Sequence, residues 1–302
     1  MSLLSWQPVA DTAARLFALT VNPAPKPAVR FPEIEGIVES DTVATRHGPT
    51  RVTIYRPPTS TGRPAVYVNI HGGGFVVGHP EQDDPWCRYL AAHAGVVVVN
   101  VDYVLAPARR FPAAAEQVFD VVRWASAAER DWDGSRLCVG GQSAGGNLSA
   151  AVARMALEAG GPRISAQVLH YAPLDLVTPT SEKKSPIGSR AILTPWMGEV
   201  FDTAYLPRRE DREHRFASPA WGSNADDISG IAPAIVVTTE YDRLRDEGVR
   251  YAAKLDEVGA LMRHYDVAGV DHGYNIMSDD VDTTRRMYGA LVADVVAATA
   301  PA

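Results

Sequence analysis

The alternation of apolar and polar positions changes character near residue 65. Before that point Ala14, Phe17, Ala18 and Val21 recur at helical spacing behind Asp11, which predicts a helix with Asp11 as its N-cap. Pro23, Pro25 and Pro27 then end that helix and predict an extended linker. Residues 37–45 and 51–56 read as an antiparallel hairpin turning around Gly48, and 65–70 as a third strand. Beyond it, short apolar runs alternate with amphipathic stretches. Strands are expected at 95–102, 137–139, 166–174, 234–240 and 262–267. Helices are expected at 111–128, from the 140s to Gly160-Gly161, at 246–258 and at 281–296. Short, near-continuous apolar strands separated by helices predict an α/β fold: a mostly parallel central sheet of about eight strands, flanked by helices on both faces.

One segment breaks this rhythm. Residues 178–221 separate two core strands by far more than an ordinary connection. Trp196, Met197, Val200 and Phe201 recur there at helical spacing, followed by a mixed charge run over 208–215 that reads as a solvated face. The segment is expected to be a helical cap inserted into a catalytic domain spanning 31–302. Residues 1–30 are expected to contribute to the cap, because their apolar helix face has no other obvious place to be buried.

The candidate chemistry centres on Gly141-Gln142-Ser143-Ala144-Gly145. It is preceded by the apolar Leu137-Cys138-Val139 and followed by Leu148, Val152 and Met155 at helical spacing. A strand turning directly into a helix crowds the residue between them, so small neighbours are needed, and the serine hydroxyl projects above the sheet edge. His71-Gly72-Gly73-Gly74-Phe75 follows a strand directly. Its glycines leave backbone N–H groups free to face a developing anion, and no lysine follows in the register of a phosphate-binding loop. Asp242 lies just past the strand at 234–240, where an open α/β sheet places its site. Asp246 and Glu247 suit the first turn of the next helix, with Asp246 as its cap. Of eight histidines, His272 combines a loop after the last strand with a position following both serine and acid. His47, His79 and His214 read as surface loop residues, and His93 as a helix end. Asp271 adjoins His272, and adjacent side chains diverge.

Composition adds exclusions. The 302 residues carry a net charge of −7 and are 46% hydrophobic, which argues against a nucleic-acid partner. Cys87 and Cys138 form neither a disulfide framework nor a metal-ligand spacing, which suits a reducing cytoplasm. The first residues lack a basic, apolar leader, and no apolar run approaches the ~20 residues of a membrane span. No stable membrane association is therefore expected.

Four blocks together resemble the hormone-sensitive-lipase-like branch of the α/β-hydrolases, the bacterial esterases with a helical cap. They are HGGGF at 71–75; DYVLAP at 102–107 with FPAA at 111–114; GQSAGGN at 141–147; and EYDRLRDEG at 240–248 with DHGY at 271–274. The resemblance covers roughly residues 37–298. It implies Ser143 as nucleophile, His272 as base and Asp242 as orienting acid. It also implies oxyanion donors at Gly73, Gly74 and Ala144, with His71 supporting the glycine turn. Two positions depart from that family. Gln142 stands where an acidic residue is common and is expected to be a structural support, and Ala108 replaces the glutamate of LAPE. The activity implied is hydrolysis of short- to medium-chain acyl esters, a small-molecule substrate, with no metal or organic cofactor. A deacetylase, lactonase or amidase would use the same triad, and a non-catalytic binder would lack one of its members. Phe75, Trp196 and Phe201 are expected to line an apolar substrate pocket, Phe75 first because it adjoins the oxyanion turn. The last strand and helix would supply the edge of a homodimer, although no residue there demands one.

Overall fold

A computed structural model describes residues 3–21, 29–31, 33–59 and 62–301; the linker expected at Pro23, Pro25 and Pro27 lies outside them. The strands are β1 (Val38–Thr45), β2 (Gly48–Tyr55), β3 (Ala65–Ile70), β4 (Val97–Val101), β5 (Asp133–Gln142), β6 (Ala166–His170), β7 (Ala234–Thr239) and β8 (Leu261–Val267). They form one eight-stranded sheet in the order β1-β2-β4-β3-β5-β6-β7-β8. The two junctions made by β2 are antiparallel, and β4 through β8 run parallel.

Strand periodicity explains why the central runs are apolar throughout. Val66, Val68 and Ile70 of β3 and Val97, Val99 and Val101 of β4 face one core, shared with helices α3 (Ala113–Ala125), α4 (Ala144–Ala159) and α7 (Arg245–Glu257). Tyr67, Val98, Cys138 and Val168 face the other, under α2 (Asp84–Ala94) and α8 (Val281–Ala298). Both faces are covered, so neither can be polar.

Local chemistry shifts several boundaries. Helix α1 (Gln7–Thr20) starts at Trp6 with Pro8 in its first turn. Asp11 is therefore not the cap; it lies within the helix and pairs with Arg110 at 2.6 Å. Strand β6 stops at His170 rather than 174 because Tyr171 takes φ +38° and turns the chain. The N-cap of α7 is Leu244; Asp246 stands exposed in the first turn and caps nothing. Helix α2 ends one residue after His93, at Gly95 in the left-handed conformation. Between β6 and β7 the chain carries α5 (Pro195–Tyr205) and the short α6 (Arg209–Arg212), an inserted helical cap. The ring of Phe17 in α1 packs edge-on against Phe201 and Trp196 of α5, at 5.4 and 6.0 Å.

Candidate active site

Strand β5 ends at Gln142 and α4 begins at Ala144, which leaves Ser143 alone at the corner with φ +53°. A non-glycine residue holds that conformation only when its surroundings enforce it. The enforcement is visible in the neighbours. A Cβ on Gly141 or Gly145 would run into the Ile70 carbonyl at the end of β3, so the elbow is pressed against the adjacent strand. The Ser143 N–H donates to the His170 carbonyl at 2.9 Å, which ties the corner to β6.

Three strand ends deliver the reacting groups. His272 Nε2 lies 2.9 Å from Ser143 Oγ, and His272 Nδ1 lies 2.8 Å from Asp242 Oδ2. The other Asp242 oxygen accepts from the Leu244 N–H at 3.0 Å, which fixes the carboxylate. Asp242 and His272 are buried. The Asp271 carboxylate turns away to accept from the Ile192 N–H of the cap at 2.7 Å.

The glycine turn lies against the elbow: a Cβ on Gly72 would sit 3.5 Å from Ser143 Cβ. Gly73 (φ +128°) and Gly74 (φ +59°) adopt conformations that favour glycine. The N–H groups of Gly73, Gly74 and Ala144 donate to no described residue, while Val76 and Val77 N–H groups close the turn onto the Gly73 carbonyl. His71 is fully buried, with Nδ1 2.7 Å from the Gly72 carbonyl oxygen and its ring stacked on Tyr103 at 4.3 Å. Burial lowers its pKa to about 4, so it stands in the site as a neutral donor.

Gln142 belongs to a buried polar chain under the elbow. Its amide nitrogen donates to Asp83 Oδ1, and its carbonyl accepts from Tyr171 OH at 2.5 Å and from Asn275 Nδ2 at 2.8 Å. Asp83 also accepts from Asn69 at 2.8 Å. Burial pushes the Asp83 carboxyl up to about 7 against these two hydrogen bonds. An acidic residue at 142 would set two carboxylates face to face. The glutamine is the partner this buried aspartate requires, a pairing the sequence did not disclose.

A cavity of about 190 Å³ opens over Ser143 and His272, enclosed by the glycine turn, α1 and α5. Phe75 and Phe201 line it; Phe75 is buried and stacked on Tyr205 at 4.0 Å. Trp196 does not line it. The residue is 46% exposed because its turn of α5 points its ring outward, over Phe17. Phe17, Val21 and Met197 line the cavity instead. The helical period of Phe17 was legible, but not the surface it covers. Two further sets of contacts escaped the sequence. Lys183 and Glu247 form a buried ion pair at 2.7 Å. Arg243, next to Asp242, donates to the carbonyls of Lys183, Gly188 and Leu193 at 2.7, 2.8 and 2.9 Å, which clamps the cap.

A model of the alpha/beta hydrolase fold family matches residues 67–276. The chain is 35% identical to the carboxylesterase NlhH of Mycobacterium tuberculosis over 74% of its own length and 70% of that protein's. It is also 35% identical to the ethyl acetate hydrolase of Pseudomonas putida, over 80% and 76% of the two chains. Among solved structures it superposes on a Pyrobaculum calidifontis esterase with a TM-score of 0.79, at 32% identity over 98% and 93% of the chains. The chain belongs to the α/β-hydrolase-fold family. Within it the protein is a serine-type esterase related to the bacterial and archaeal carboxylesterases of the hormone-sensitive-lipase-like group. Among the described residues no helix is long and apolar enough to cross a membrane.

Proposed function

We propose that Ser143 attacks the carbonyl of short- and medium-chain acyl esters, with His272 as general base and Asp242 as its orienting acid. The observation that carries this reading is the hydrogen-bonded chain from Ser143 through His272 to Asp242 at the base of an apolar cavity. His272 takes the Ser143 proton as the Oγ–carbonyl bond forms and returns it to the leaving alcohol. Water then attacks the acyl-enzyme by the same route, releasing the acid and restoring Ser143. Asp242 holds Nδ1 protonated and stabilises the imidazolium. The free N–H groups of Gly73, Gly74 and Ala144 face the tetrahedral oxyanion; one such donor is worth on the order of 3 kcal/mol of barrier. Phe75 and Phe201 form apolar wall, while His71 and Gln142 support the turn and the elbow. Residues 1–30 and 178–221 act as one cap over the catalytic domain, a reading supported by Phe17 packing on Phe201. The two cysteines are free and buried, which supports a reducing, cytoplasmic setting.

The test is hydrolysis of p-nitrophenyl esters from acetate to laurate by wild type and Ser143→Ala. Wild type turns over the shorter esters and the variant falls to background. Undiminished turnover by the variant would remove Ser143 from the mechanism.

A further inference from the structure

The cavity above Ser143 is apolar over most of its wall but carries two charged residues the proposed mechanism does not use. On α5, Met197 and Phe201 share a face at i,i+4 spacing, as do Gly198 and Asp202, and all four line the cavity. Asp202 is only 6% exposed. Among the described residues no side chain or backbone N–H donates to its carboxylate, and its oxygens are not sealed in by protein. A buried carboxylate left without donors is costly, and a ligand that supplies one recovers that cost.

Lys183 lines the same cavity. Two of its three N–H bonds are committed, to Glu247 Oε2 at 2.7 Å and to the Asp175 carbonyl at 2.6 Å. Among the described residues the third has no acceptor, and the ammonium acts electrostatically on Asp202. Burial raises the Asp202 carboxyl to about 6 against the pull of Lys183 and Arg212, so near pH 8 it is an ionised acceptor.

We propose that Asp202 and Lys183 are specificity-determining residues, and that the preferred esters carry a neutral hydroxyl that donates to Asp202 and accepts from Lys183. The inference rests on the esterase reading of Ser143 and adds the substrate class. The charges decide among candidates. An ammonium group would meet Lys183, a carboxylate would meet Asp202, and a plain alkyl chain would leave both unsatisfied. A hydroxyl satisfies both at once.

The experiment measures kcat/KM near pH 8 for matched esters from butanoate to octanoate with and without a terminal hydroxyl. One series places the hydroxyl on the acyl chain of a p-nitrophenyl ester, the other on the alcohol of an acetate ester. Wild type, Asp202→Leu and the isosteric Asp202→Asn are compared. Both variants leave Lys183 its Glu247 partner, so neither strands a buried cation. The expected result is a preference for the hydroxylated ester of about ten- to a hundredfold in one series. In Asp202→Leu the hydroxyl-to-alkyl ratio falls to near one, and in Asp202→Asn it falls part of the way. Should Asp202→Leu fail to fold, Asp202→Asn decides. A wild-type ratio near one in both series overturns the inference alone, as does a ratio unchanged in the variants. Absence of turnover, together with absence of Ser143 labelling by a fluorophosphonate, overturns the esterase reading and this inference with it.

Discussion

Lys183→Met tests the buried ion pair that fastens the root of the cap to the core. Glu247 is 2% exposed and Lys183 9% exposed, so neither charge is solvated by bulk water. One Glu247 oxygen meets Lys183 at 2.7 Å, and the other accepts from the Leu174 N–H at 2.8 Å. Burial alone would lower the Lys183 pKa, but Glu247, Asp202 and Asp175 carry it above its usual value. Burial likewise pushes Glu247 up to about 7, with Lys183 opposing. Removing the lysine leaves an uncompensated buried carboxylate, at a cost of about 3–5 kcal/mol. The sign with pH follows from Glu247. Its folded pKa exceeds its unfolded value, so its contribution is fully present below the unfolded pKa and is lost as pH rises through the folded one. In wild type that loss ends near pH 7. In the variant the folded pKa rises further, and stability continues to fall by about 1.4 kcal/mol per pH unit above 7. Urea unfolding followed by tryptophan fluorescence near pH 6 and pH 8.5 reads both effects. The double variant Lys183→Met with Glu247→Gln keeps the acceptor for Leu174 and recovers most of the loss at the higher pH. A deficit under about 1 kcal/mol, equal at both pH values, would refute the reasoning, because no buried charge would then have been stranded.

Three further outcomes follow from the site. Asp242→Asn presents an amide to His272 and favours the wrong tautomer, so kcat for p-nitrophenyl butyrate drops by about 10⁴ while the urea midpoint changes little. Gln142→Glu replaces the donor to Asp83 with a second carboxylate; stability falls by about 1–3 kcal/mol near pH 8 and by less near pH 6, where one proton is shared, as paired urea titrations would register. Arg243→Ala frees three carbonyls of the cap segment, and limited proteolysis between residues 183 and 193 accelerates about tenfold, an effect that unchanged cleavage kinetics would disprove.

Sequence alone determined the parts of this protein that depend on spacing along the chain. The apolar runs of β3 through β7 could only be strands covered on both faces, and the glycines around Ser143 mark a backbone too crowded for a Cβ. The expected order of serine, acid and histidine came from motifs that fall after the strands ending at 139, 240 and 267. What spacing cannot encode is which way a side chain turns once distant segments meet. Trp196 and Phe201 share a helix and an apolar character, yet one faces solvent and the other the cavity, because the rotation of α5 is set by the helix and sheet it packs against. Asp11 had the residue type of a cap, but Arg110, 99 residues away, took it as an ion-pair partner. Gln142 read as a departure until folding brought it against Asp83, and nothing in the chain's spacing singled out Lys183 or Asp202, which folding buries together under the cap. Burial and pairing are properties of the assembled interior, where desolvation makes one hydrogen bond or one charge decisive, and only the tertiary structure fixes who is next to whom.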